Sequence, residues 1–198
     1  LEESSSSFLR KIKFFLFQEK IESAPGWQAT RSERDKFIHE FFDNPVYFIF
    51  RKAILTEQLE VPHSKPELQK VCLLAAILCW FANSDGRLSL SEEEFILETL
   101  IKHCGIKRNL SKCIFKVGKS IDVSELQLSE LVSSFADATP QLERDDFFIL
   151  ISKMILLDRS LSPQELECLR TVALYLDISE TLWTKIMGQI HLKTTYSV

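Results

Sequence analysis

Two stretches of this 198-residue chain place an aspartate seven residues before a glutamate. The first is Asp85-Gly86-Arg87-Leu88-Ser89-Leu90-Ser91-Glu92, and the second is Asp158-Arg159-Ser160-Leu161-Ser162-Pro163-Gln164-Glu165. Brought together by a fold, Asp85, Glu92, Asp158 and Glu165 would cluster like charges, which raise one another's pKa unless a cation neutralises them. A hard divalent ion, Ca²⁺ or Mg²⁺, suits such oxygen ligands. The first copy carries one extra residue, so Glu93 competes with Glu92 for the inward position. The loops do not match an EF-hand, which needs oxygen ligands at alternate positions of a 12-residue loop; Arg87, Leu88 and Leu90 occupy that stretch in the first copy. A second account needs no ligand. Ser89-x-x-Glu92 and Ser162-x-x-Glu165 both have the form of a capping box, in which the hydroxyl bonds an orphan amide of the helix start and the carboxylate reaches back. Pro163 falls at a first helical position, and Gly86 and Gly105 fall where helices stop.

Other chemistry finds less support. The four histidines, His39, His63, His103 and His191, share no metal-ligand spacing. Gly118-Lys119-Ser120 resembles the end of a phosphate-binding loop, but Cys113 stands where the earlier glycine belongs and no strand precedes it. Glu143-Arg144-Asp145-Asp146 has the pattern of a solvated first turn that complements the helix dipole. Trp27, Trp80 and Trp183 are expected as packing anchors. The five cysteines are odd in number and lack a CxxC pair, as expected of reduced core thiols in a cytosolic protein. No catalytic constellation emerges, so the expectation is a protein that is not an enzyme; a hydrolase sited between the N-terminal segment and the rest is the lower alternative. A net charge of −4 and a pI near 5.7 oppose nucleic-acid binding, which needs a basic stripe.

The elements that must position these residues are helices. With 5 Gly and 6 Pro there are few turns to build hairpins, and apolar residues recur at three- and four-residue spacing, as in Leu126, Leu128, Leu131, Val132 and Phe135. Helices are expected over about 5–21, from Ser32 to 43, 45–57, 66–83, 91–104, 109–119, 123–137, 140–157, 163–176 and 179–190. Those over 73–81 and 147–157 are apolar nearly all round and are expected to pack centrally against each other. The Val61-Pro62-His63-Ser64-Lys65-Pro66 stretch divides an N-terminal accessory segment, 1–65, from a domain over 66–192 and a tail over 193–198. The accessory segment holds nine of the fifteen phenylalanines, so residues 8–55 are expected to pack as extra helices. Within it, residues 8–17 form a basic, aromatic amphipathic stretch, suited to a domain surface or to a membrane surface. The longest apolar run, 71–82, is too short to cross a bilayer, which takes about 18 to 20 residues. The chain starts at Leu1 and is expected to be a piece of a longer protein. Ser89 and Ser162 align at an offset of 73, while the ends of the following helices, Gly105-Ile106 and Asp177-Ile178, align at 72. Two related helix-loop-helix units suggest an all-α domain with pseudo-twofold symmetry.

At the repeated Asp-x-x-Leu-Ser-x-x-Glu loops the chain resembles the tellurite-resistance TerB family, over about residues 67–190. Phe115-Lys116-Val117-Gly118-Lys119-Ser120 and Leu176-Asp177-Ile178-Ser179 make it most similar to the TerB-like region of DjlA-type co-chaperones. The resemblance implies an all-α TerB-like domain in the cytoplasm that binds partners or ions and does no chemistry. In DjlA-type proteins such a domain lies between a membrane anchor and a J domain that stimulates an Hsp70. It thus points to protein partners in an Hsp70/J-domain or envelope-stress system, at the cytoplasmic face of the inner membrane if an anchor lies outside this sequence. There is no His-Pro-Asp tripeptide, and His63-Ser64-Lys65-Pro66 is no variant of it. Arg159 stands where the family has Gly, which weakens the second half of a metal site.

Overall fold

The computed structural model describes residues 44–83, 88–120, 127–158 and 162–195. The expectations for residues 1–43, with the 8–17 stretch, the helices before Asn44 and Trp27, lie outside them, as do Asp85, Gly86, Arg87 and Arg159. Every element among the described residues is helical.

Asn44 is extended at φ −157° and its side chain accepts from the Tyr47 amide at 2.9 Å, which starts α1, Pro45–Thr56. Proline in the first turn loses no hydrogen bond there. Val46, Tyr47, Phe50 and Ile54 of α1 are buried. The next helix, α2, Lys65–Ala82, begins one residue before the expected 66. Ser64 caps it, with the Glu67 carboxylate accepting from the Ser64 amide at 2.8 Å and from its hydroxyl at 2.7 Å. Pro66 therefore belongs to the first turn of a helix and not to the linker. From Val71 to Ala82, α2 is buried except at Trp80.

Helix α3, Leu90–Glu98, runs into a π-helical turn, Thr99–His103. Gly105 then takes φ +66°, and the Ile106 amide reaches back to the Leu100 carbonyl at 3.0 Å. Arg108–Ser120 forms α4, Leu128–Asp137 α5, Gln141–Ile155 α6 with a 3-10 turn over Leu156–Asp158, Pro163–Tyr175 α7 and Glu180–Thr195 α8. The helix expected from 123 begins at Leu128, because Gln127 is extended at ψ 125°. At the end of α7 Asp177 takes φ +56° and the Ile178 amide bonds the Ala173 carbonyl at 2.9 Å. That bond spans five residues where its counterpart at Ile106 spans six. The first of these two helix ends therefore holds one more residue than the second, within the π turn.

Helices α1, α4 and α5 are the close neighbours of α2. The expected packing of α2 directly along α6 is corrected. The two meet near their starts, where Lys70 is bridged to Glu143, and α5 packs chiefly on α2 and α7; its Leu131, Val132 and Phe135 are buried, with the Phe135 ring 4.3 Å from that of Phe147 on α6. Nor is α6 apolar all round, since Lys153 is exposed and Ile149 and Leu150 are half-buried. Gly118 lies inside α4 where it crosses α2, and a Cβ there would come within 2.8 Å of the Cys79 sulfur. Its role is close helix packing. No helix among the described residues is long and apolar enough to cross a membrane.

Candidate functional site

Glu92 and Glu165 of the repeated loops are each engaged at their own helix start. Glu92 accepts from the Ser89 amide and hydroxyl, both at 2.8 Å, and its own amide bonds the Ser89 hydroxyl at 3.2 Å. Glu165 accepts from the Ser162 amide at 2.7 Å, and its amide bonds the Ser162 hydroxyl at 3.1 Å. Glu93 faces Lys119 at 3.9 Å. Asp158 lies in the 3-10 turn before the second loop, and Asp85 lies outside the described residues. Among the described residues no three His, Cys, Asp or Glu side chains are placed to hold a metal ion.

The chain's charged and apolar groups converge elsewhere. A groove of about 410 Å³ opens between the N-terminal ends of α2 and α6 and the end of the π turn. Its floor is Val71 and Leu74 of α2, Phe135 of α5, and Phe147 and Leu150 of α6. Around it stand Glu67, Lys70, Glu143, Asp146 and the two imidazoles of His63 and His103, with Cys104 beside them. Lys70 is bridged to Glu143, a partner 73 residues away. The hydrogen bonds from Ser64 hold the Glu67 carboxyl below the usual carboxylate range, so it is charged at neutral pH. Asp146 is exposed and carries no hydrogen bond or ion pair among the described residues. The His63 Nδ1 is buried without a hydrogen-bond partner.

This arrangement suits binding better than nucleophilic attack. Burial pushes the Cys104 thiol up to about 11, which keeps it protonated, whereas a nucleophilic cysteine needs its pKa lowered. The other thiols are shifted the same way, Cys72 and Cys79 chiefly by burial, and they serve as small core groups. Compared with family models, curated proteins and solved structures, the chain matches none.

Sequence reasoning missed the groove because its parts are far apart in the chain. His63 and His103 share no helical spacing, yet the start of α2 and the end of the π turn bring both to one opening. The Glu143–Asp146 run, expected as a solvated turn, has three separate uses. Glu143 meets Lys70, Asp146 edges the groove, and Arg144 donates to the Ala136 carbonyl at 2.6 Å and the Thr139 carbonyl at 2.8 Å, closing the end of α5. The repeat offset was the available signal, since Lys70 and Glu143, like Leu74 and Phe147, are 73 residues apart.

Proposed function

We propose that this chain is a non-catalytic, TerB-like helical interaction module of the DjlA co-chaperone kind, which docks a protein partner in the groove between α2 and α6. The observation that carries this reading is the groove itself, an apolar floor ringed by charged and imidazole groups. Apolar surface left open beside charge is the usual mark of a docking site. The repeat supports the TerB-like assignment: the two capped helix starts and the Lys70–Glu143 pair share one offset, as expected if a pseudo-twofold axis passes between those two side chains. On this reading the module works in the cytoplasm, and its partners belong to an Hsp70/J-domain or stress system.

A photo-crosslinking residue at Asp146, in cells that make the full protein, tests the reading. One adduct of defined mass, identified by mass spectrometry and lost with Leu150→Ala, is expected. A crosslinker at Lys153, exposed on the same helix but outside the groove, should give none. Equal adducts at both sites, or none at either, would refute docking in the groove.

A further inference from the structure

The groove is uneven in charge. Glu67, Glu143 and Asp146 bring three carboxylates to its edge against one ammonium, that of Lys70. Lys70 is already committed to Glu143, and Asp146 has no partner among the described residues. The open floor takes an apolar side chain, while the carboxylates at the edge outnumber its one ammonium. Protein surfaces that dock specifically match such a pattern with the opposite one.

Resting on the interaction-module reading, we propose that the groove binds a partner segment that places an apolar side chain next to a lysine or arginine. The apolar group fills the floor over Leu74, Phe147 and Leu150. The incoming cation settles between Asp146 and Glu143, displacing Lys70 from the latter. Lys70 is thus an internal stand-in for the partner's cation, and its side chain, 27% exposed beside a 48% exposed Glu143, has room to swing out to water.

The test uses the full chain and three short fluorescent peptides with leucines at helical spacing, carrying Lys, Gln or Glu between them. Fluorescence anisotropy should show the Lys peptide binding most tightly, with an affinity that falls as salt rises. Asp146→Asn and Glu143→Gln should each weaken it about five-fold, the scale of one exposed charge pair. Lys70→Gln should tighten it about three-fold, because the internal competitor is gone. A purely structural Lys70 would show no such gain. Asp146 is exposed and has no partner among the described residues, so its variant keeps the test valid if Leu150→Ala unfolds. Equal binding of the Gln peptide, tighter binding of the Glu peptide, or loss of affinity in Lys70→Gln would overturn the charge selection and leave the module standing. If no peptide binds while the Asp146 adduct persists, the occupant has other chemistry and this inference falls alone. A concentration-dependent dimer that Leu150→Ala dissolves would assign the groove to a second copy, which also overturns it.

Discussion

At the residue scale, the repeated serines and glutamates have a local task. The Ser89 and Ser162 hydroxyls each accept an amide that would otherwise be orphaned, so Ser89→Ala and Ser162→Ala should each cost about 1 kcal/mol in denaturant unfolding. The carboxylates are occupied in the same caps, which bears on the cation expected from their pattern. Calorimetric titration with Ca²⁺ and Mg²⁺ should give no saturable heat, and Glu92→Gln and Glu165→Gln should lower the melting temperature equally with and without the ions. Saturable heat abolished by Asp85→Asn with Asp158→Asn would instead establish a shared cation site.

At the scale of helices, two close approaches define the architecture. Gly118 lets α4 lie against Cys79 and the Ala75 carbonyl of α2. Alanine is the better helix former by about 1 kcal/mol, yet a methyl at 2.8 Å from a buried sulfur must displace that sulfur or move the two helices. Gly118→Ala is therefore expected to destabilise by about 1–3 kcal/mol, and Cys79→Ala should recover part of that loss in a double-mutant cycle. No gain with Cys79→Ala would mean that the strain lies elsewhere. The π turn is the second device. It ends at His103, and His103 and Cys104 both line the groove just before the cap at Gly105.

For the whole molecule, α1 belongs to the core. Phe50 is fully buried, so Phe50→Ala should cost about 3–5 kcal/mol, and a chain shortened to begin at Ser64 should aggregate through the uncovered faces of α2 and α4. The buried thiols predict a pH dependence. Burial raises the folded-state pKa of Cys72 and Cys79, the latter to about 12, from a usual value of 9.0. Above pH 9 the unfolded chain loses these protons while the folded chain keeps them. Stability is complete below that pH and should decline by up to about 1.4 kcal/mol per pH unit for each such thiol, until the folded thiol itself ionises. Chemical denaturation across alkaline pH checks this, and Cys79→Ala should reduce the slope.

What the amino-acid sequence determined by itself was the division into helices. Asn44-Pro45, Ser89-x-x-Glu92, Ser162-Pro163 and Gly105 mark helix ends through bonds spanning only a few residues, so their effect is legible locally. The 73-residue offset between the two capping boxes was visible for the same reason, although the π turn was not, because such a turn follows no composition rule. Only the tertiary structure decided which faces meet. Helix α5 packs on α2 and α7, Gly118 finds a sulfur 39 residues earlier in the chain, and Lys70 finds Glu143 73 residues later. The groove follows from those encounters, since neither its floor nor its charged edge belongs to one element, and side chains that are not neighbours in sequence become neighbours only when the core packs.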